Sequence, residues 1–432
     1  MKDPVKNFPR HVHLIGIGGT GMSAIARVLL ESGWTVSGSD RQVSPLAEQL
    51  REAGARVFIG HHPENIAGAG WVVRSSAVPD DNVEVQAARQ AGVLVLKRAD
   101  FLAELMANKR GIAVAGAHGK TTTTAMIAWM LVALGEEPSF IAGSILENLG
   151  VNARAGQGPD FVIEADEYDR MFLGLRPQIA VVTNVEHDHP DCYPSKADFF
   201  AAFRAFVDRL PPDGLLLACG DDPGARDLAA QAGLKSLAVR TYGLEEQNHY
   251  RAVDLSLNEA GGLDFTLRLP EGSELADPLG ISLQIPGRHN VLNALAALAV
   301  AHRLNLPLDG AAEALNAFRG TRRRFQVLGE AGGVVLVDDY AHHPTEVRAT
   351  LAAARQRFPQ RRLWAVWQPH TYSRARTLLA DFAGAFEAAD RVVVTEIYPA
   401  REQPPQDGFS ARDVVSAISV SYTHLRAHET KA

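Results

Sequence analysis

The chain is poor in cysteine, in aromatic residues and in positive charge, and each shortage removes a class of protein. Two cysteines in 432 residues, Cys192 and Cys219, cannot build a disulfide framework and suit a reducing compartment. Fifty acidic side chains outnumber 43 basic ones, for a net charge of −7, and the tightest basic run is Arg322-Arg323-Arg324. That is no footprint for a polyanion, so no nucleic-acid partner is expected. No apolar run reaches the ~20 residues that a membrane span needs, and residues 1–10 lack the apolar core of a signal peptide. The expected location is therefore cytoplasmic, with no membrane partner. Internal repeats and low-complexity tracts are also missing. What remains is 46% hydrophobic and 22% charged, as in a globular protein. At ~100–200 residues per domain, the length predicts roughly three domains.

The most informative stretch is Gly116-Ala117-His118-Gly119-Lys120-Thr121-Thr122-Thr123. The run 111–115 before it reads as a buried strand, and 122–134 after it carries helical spacing. Glycines let backbone N–H groups close around phosphate oxygens, the helix N-terminus favours negative charge, and Lys120 can reach the β and γ phosphates. Thr121 is placed to hold Mg²⁺ through its hydroxyl. A generic phosphate loop has four residues between its glycines. This one has two, with Val114 where the earlier glycine would stand.

The fold class is α/β, in three domains. The first, 1–107, opens with a strand at 11–15 that runs into Gly16-Ile17-Gly18-Gly19-Thr20-Gly21, then a helix at 22–32 and a strand ending at Ser39-Asp40. This is the pattern of a Rossmann-like unit, with Asp40 placed to read a ribose hydroxyl. Further strands are expected at 57–59, 71–73 and 93–96. The second domain, 108–320, is a P-loop ATPase-type parallel sheet, with strands at 161–164 and 179–184. It carries a small β insertion at 254–269 and 281–285, and an alanine-rich helix at 290–304 closes it. The third, 321–418, reads as another Rossmann-like unit: strand 334–337, helix 345–358, strand 363–366, helix 373–388 and strand 391–394. There the alternation is expected to stop, leaving that domain incomplete. The stretch 419–432 resembles translated adapter sequence and is expected to be a non-native tail.

Polar constellations fall at the ends of these strands. Glu164-Ala165-Asp166-Glu167-Tyr168-Asp169 clusters acids where an α/β sheet binds ligands, which is expensive unless a cation is near. Thr183-Asn184-Val185-Glu186-His187-Asp188-His189-Pro190-Asp191 mixes imidazole with carboxylate, and His189 is preferred over His187 as a ligand for a second cation. Asn290 and Asn293, one turn apart, either cap the alanine-rich helix or face the nucleotide. Asp338-Asp339-Tyr340-Ala341-His342-His343-Pro344 and Gln368-Pro369-His370-Thr371-Tyr372-Ser373-Arg374 supply cations, imidazoles and carboxylates fit for a small zwitterion.

Taken together, Gly16-x-Gly18-Gly19-x-Gly21-Met22-Ser23, Gly116-x-His118-Gly119-Lys120-Thr121-Thr122, Glu164-Ala165-Asp166-Glu167, Asp188-His189, Gly287-x-His289-Asn290-x-x-Asn293, the Asp339 loop and the His370 loop resemble the Mur ligase family of peptidoglycan synthesis. The resemblance covers residues 12–417. It implies a UDP-sugar site in the first domain, at Gly18, Gly19, Gly21, Met22, Ser23, Asp40, Ser75 and Ser76. In the second it implies an ATP site at Gly116, His118, Gly119, Lys120, Thr121 and Thr122, completed across the junction by Asn290, Asn293, Arg324 and Asp339. Thr121 and Glu164 would hold one Mg²⁺ and His189 a second, with Mn²⁺ as the alternative metal. Tyr340, His342, His343, His370 and Arg374 would receive the amino acid. Lys120, Glu164, His189 and Arg324 would carry the catalysis. The implied activity is ATP-dependent ligation of L-alanine to UDP-N-acetylmuramate.

Two positions depart from the family pattern. Thr371 stands where some relatives carry arginine, and Arg204 lies near the place where sister ligases have a carbamylated lysine. Three rival readings remain: the relative that recycles a whole tripeptide onto the same sugar, an NAD-dependent oxidoreductase resting on the first glycine loop alone, and a truncated binder without catalysis. The loop Gly18-Gly19-Thr20-Gly21-Met22-Ser23 speaks against the first, and the second leaves the Lys120 loop without a task.

Overall fold

The computed structural model describes residues 10–273, 278–400, 402–421 and 427–429. In the first domain five short strands, β1 (His11–Ile15), β2 (Thr35–Asp40), β3 (Arg56–Ile59), β4 (Trp71–Arg74) and β5 (Leu94–Lys97), form a parallel sheet in the order β3-β2-β1-β4-β5. The order reverses at β1, so the glycine loop that follows β1 lies at the switch point, where open α/β sheets bind ligands.

The central sheet has ten strands: β6 (Arg110–Ala115), β7 (Ser139–Leu146), β8 (Val151–Arg154), β9 (Asp160–Glu164), β10 (Ile179–Val182), β11 (Leu215–Cys219), β12 (Ala238–Gly243), β13 (Tyr250–Leu257), β14 (Leu263–Arg268) and β15 (Leu279–Ser282). Their order is β15-β14-β13-β12-β11-β10-β6-β9-β7-β8. β6 stands between β9 and β10, both parallel to it, so all three strand ends open on one place. The helix Lys120–Ala133 is buried nearly all round, with ten of its 14 residues inaccessible. It packs on β6, β7 and β9 beside the helix Arg288–Arg303, which covers β11 to β14 and whose alanines allow close packing. The expected β insertion is not a separate unit. β13 pairs parallel with β12 and antiparallel with β14, so the alternating strands extend the main sheet and bury Ala252, Phe265, Leu267 and Ile281 against its core.

The third domain begins with an antiparallel hairpin, β16 (Gln326–Ala331) and β17 (Val334–Asp338), followed by the helix Pro344–Arg357. β18 (Trp364–Trp367) and β19 (Arg391–Val394) are parallel. The helix expected at 373–388 is two short ones, Tyr372–Thr377 and Leu379–Ala383, because Leu378 leaves helical geometry and Gly384 ends the second. The expectation that the pattern stops near residue 418 is also corrected. The helix Ala411–Ser421 buries Ala411, Val414 and Ile418 in the third core, and β20 (Ala427–Glu429) pairs parallel with β19. The third domain is largely present. The expected tail falls partly on 422–426 and 430–432, outside the described residues.

Candidate functional site

The phosphate loop turns from β6 into the helix Lys120–Ala133 through Gly116 (φ +145°) and Gly119 (φ +79°), backbone shapes that favour glycine. A Cβ on Gly116 would also run into Thr183 Oγ1. The loop rests on the end of β10. His118 N–H donates to Asn184 Oδ1 at 2.9 Å, while Asn184 Nδ2 and Thr183 Oγ1 donate to His118 O at 3.0 and 2.5 Å. In the sequence these two residues only open a histidine-rich run, since nothing local says that they brace the loop.

Lys120 Nζ donates to Gly116 O at 2.6 Å and Ala117 O at 3.1 Å, and pairs with Glu167 at 2.9 Å. Burial opposes its charge, but Glu167, Glu164 and Asp166 outweigh that and raise its pKa. Thr121 and Glu164 stand together over Gly143, where a Cβ would lie 2.9 Å from the Thr121 hydroxyl and 2.5 Å from Glu164 Oε2. Burial, reinforced by Asp166, pushes the Glu164 carboxyl above its ordinary pKa despite Lys120. A partly buried carboxylate next to a hydroxyl is an all-oxygen donor set that suits a hard divalent cation. His189 stands beside the carboxylate that pairs with Lys120, its Nε2 3.5 Å from Glu167 Oε1.

A different trio, His118, Glu186 and His343, also brings three potential ligand atoms within 4.8 Å. Burial opposes charge on His118, but Glu186 at 3.1 Å and Glu346 at 3.2 Å raise its pKa to about 9. The ring is clasped by two carboxylates. Because Glu346 belongs to the third domain, this clasp also fastens that domain to the phosphate loop.

A cavity of about 330 Å³ opens at this junction, lined by Gly119, Thr121, Thr122, Asn290, Asn293, Arg324 and Asp339 among others. It gathers expected ATP-site residues from both sides of the domain boundary. Neither asparagine caps the helix Arg288–Arg303, whose N-cap is Gly287 with no side-chain capping bond. Asn290 Nδ2 donates to Pro286 O at 2.7 Å, at the start of its helix, and Asn293 Nδ2 donates to Asn290 Oδ1 at 3.1 Å. Asn293 Oδ1 in turn accepts from Thr123 Oγ1 at 3.0 Å, tying that helix to the phosphate-loop helix. Asp339 accepts from Phe325 N–H and Ala341 N–H, both at 2.8 Å, and Arg324 lies 3.7 Å from Glu346.

The expected amino-acid residues divide. Tyr340, His342 and His370 form an aromatic row, with ring centroids 5.0 Å apart for Tyr340–His342 and 5.6 Å for His342–His370. Burial, with His342 and Arg374 adding to it, lowers the His370 pKa to about 4. Arg374 is only 3% exposed and donates to Asp188 Oδ1 at 2.8 Å. It also stands 3.0 Å from His370 Nδ1 and 3.3 Å from His189 Nδ1. His343, also 3% exposed, accepts from Thr345 N–H as the N-cap of the helix Pro344–Arg357, and Glu346 completes a capping box.

In the first domain the glycine loop meets Asp40, whose Oδ2 accepts from Gly18 N–H at 2.9 Å. Ser75 lies beside Gly16 after β4, whereas Ser76 is exposed. Met22 and Ser23 are buried in the helix Thr20–Glu31. The first-domain and central sites are bridged by a residue absent from the expected set, Arg98, which lies 3.4 Å from Asp166.

Comparison with known proteins matches the chain to Mur ligase domains along its length: the catalytic domain at residues 11–110, the middle domain at 114–301 and the glutamate ligase domain at 323–432. A UDP-N-acetylmuramate–L-alanine ligase of Roseiflexus sp. (strain RS-1) is 48% identical over 406 residues, covering 91% of this chain and 86% of the relative. Another, of Bordetella petrii, is 45% identical, covering 96% and 90%. The crystal structure of a UDP-N-acetylmuramate-alanine ligase from Thermotoga maritima superposes with a TM-score of 0.79 at 30% identity, covering 97% of this chain and 90% of that one.

Proposed function

The chain belongs to the Mur ligase family, and from that premise we propose the task of its site: it joins L-alanine to the lactyl carboxylate of UDP-N-acetylmuramate, converting ATP to ADP and phosphate. This is an ATP-dependent carboxylate–amine ligation in the synthesis of peptidoglycan precursors. One observation carries the reading. A continuous polar chain, His370–Arg374–Asp188/His189–Glu167–Lys120, links the third-domain loops to the phosphate-loop lysine in steps of 2.8 to 3.5 Å. A ligase that activates a carboxylate with phosphate and then delivers an amine needs those two places side by side.

A carboxylate is a poor electrophile, so its oxygen first attacks the γ-phosphoryl group and ADP leaves. The neutral amine of alanine then attacks the carbonyl of the acyl phosphate. The tetrahedral intermediate collapses, breaking the C–O bond and releasing phosphate while the amine loses a proton. Lys120 would leave Glu167 for the transferring phosphoryl oxygens, offsetting the charge they gather. Thr121 and Glu164 fit Mg²⁺, with His189 near a second ion. A bound Mg²⁺ would supply charge neutralisation at the transferring phosphoryl group. Asn290, Asn293, Arg324 and Asp339 would close the nucleotide in from the domain junction, and the docked third domain would keep water from the acyl phosphate. The row Tyr340–His342–His370 would receive the alanine. In the first domain Gly18, Gly19, Gly21 and Asp40 would hold the nucleotide sugar. No helix among the described residues is long and apolar enough to cross a membrane. A cytoplasmic site of action follows from the substrates, since ATP is supplied there.

The test is phosphate release from Mg-ATP with UDP-N-acetylmuramate, with and without L-alanine. Release that requires both substrates is expected. Release that ignores L-alanine but responds to a tripeptide would replace this reading with the recycling ligase.

A further inference from the structure

Arg98 starts the helix Arg98–Met106 directly after β5, at the same end of the first sheet as the glycine loop. Its guanidinium points end-on at Gly21, so close that a Cβ at that position would overlap Nη1. A side chain at Gly21 would have to push the guanidinium aside. Gly21 is the second residue of the helix Thr20–Glu31, whose first turn carries no acid and whose N-cap, Gly19, makes no side-chain capping bond. The guanidinium's other terminal nitrogen, Nη2, lies 3.4 Å from Asp166 Oδ2 across the domain boundary.

The Asp166 pairing is weak on its own terms. At 3.4 Å it is longer than the ~2.7–2.9 Å of a charge-assisted bond, and the two side chains are 22% and 38% exposed. Pairs of that kind contribute little to stability. A diphosphate at the helix N-terminus would offer the same guanidinium two oxygens in the planar, bidentate geometry it matches best. The carboxylate is therefore a resting partner that a stronger anion displaces.

We propose that Arg98 clamps the diphosphate of the nucleotide sugar, leaving Asp166 for the phosphate oxygens when that substrate binds. The inference rests on the ligase reading above and adds a residue to its nucleotide-sugar site. It is tested by calorimetric titration of the full chain with UDP-N-acetylmuramate, UDP and UMP, for wild type, Arg98→Ala and Arg98→Lys, beside their melting temperatures. In wild type UDP should bind more tightly than UMP. Arg98→Ala should weaken UDP-N-acetylmuramate at least tenfold and reduce the UDP-to-UMP affinity ratio by a similar factor. Arg98→Lys, a point charge without the fork, should recover part of both. ATP affinity should stay within twofold. Equal UDP-to-UMP ratios in wild type and Arg98→Ala overturn the inference, as does a loss shared equally by UDP, UMP and ATP, which would mark Arg98 as a strut between domains. A wild-type chain that binds no UDP-N-acetylmuramate would instead overturn the ligase reading itself.

Discussion

Arg374 of the third domain and Asp188 of the central domain meet at 2.8 Å with both side chains only 3% exposed, a buried ion pair across a domain boundary. Burial opposes the Asp188 charge, but His189, Arg374 and His342 outweigh it and hold its carboxyl far below the usual carboxylate range. Asp188 is also the immediate neighbour of His189, and Arg374 touches both. The pair therefore fixes two things at once: how the third domain docks, and where the His189 ring stands relative to Glu167 and Lys120.

Breaking that pair from one side should be costly. Arg374→Met leaves Asp188 buried without its partner, and such losses run to about 3–5 kcal/mol. Arg374→Met and Asp188→Asn should each lower the urea midpoint and turnover. The double variant should be destabilised by clearly less than the sum of the two. Additive effects in that double-mutant cycle would show that the two side chains do not act on each other.

Lys120→Ala should reduce phosphate release by about 10²–10³-fold or more, the scale of losing a preorganised charge at a reacting oxyanion. Binding of UDP-N-acetylmuramate, measured by calorimetry, should survive, because the expected nucleotide-sugar residues lie in the first domain. Its loss would mean that this assignment of domains is wrong.

The His118 clasp predicts a pH dependence of definite sign. Its pKa, about 9 in the folded chain, lies above the ordinary value of 6.5, so the stability it contributes is fully present below pH 6.5 and is lost as pH rises through 9. For Glu186 burial opposes the charge but His118 outweighs it, and the pKa falls to about 2. Its contribution is present above its ordinary 4.5 and disappears as pH falls toward 2. Melting temperatures from pH 6 to 10 should fall more steeply for wild type than for His118→Gln. Parallel curves would remove His118 as the cause.

The parts of this site that could be read from sequence are those made by neighbours in the chain. A strand, two glycines, a lysine and a helix start specify a phosphate loop through local backbone geometry alone, and the structure places them at the switch between β9 and β10. The same holds for the strand-end positions of Glu164, His189, Asp339 and His370. Partnerships are different. His118 and Glu346 lie 228 residues apart, and Arg374 and Asp188 lie 186 apart, so no spacing rule connects them. Among four clustered acids nothing local says that Glu167 meets Lys120 while Asp166 faces Arg98. The split of the helix expected at 373–388 was equally hidden, since a helical pattern can tolerate the single non-helical turn at Leu378 only where packing holds both pieces.

His343 tests how far a motif's residues share one role. The family resemblance groups it with His342 and His370 on the amino-acid side, but here its ring caps the helix Pro344–Arg357 and packs 4.5 Å from His118. Burial and the charge on His118 lower its pKa to about 4, so it serves as a neutral acceptor for Thr345 N–H. A capping role is one that asparagine can fill and alanine cannot. His343→Ala should therefore lose about 0.5–2 kcal/mol of stability, while His343→Asn should recover most of it. In both variants the KM for L-alanine should remain near wild type. A KM that rises in both, with stability restored in His343→Asn, would show that the ring touches the amino acid after all. It would then have to leave its cap when the substrate binds, which would make the first turn of that helix a moving part of the site.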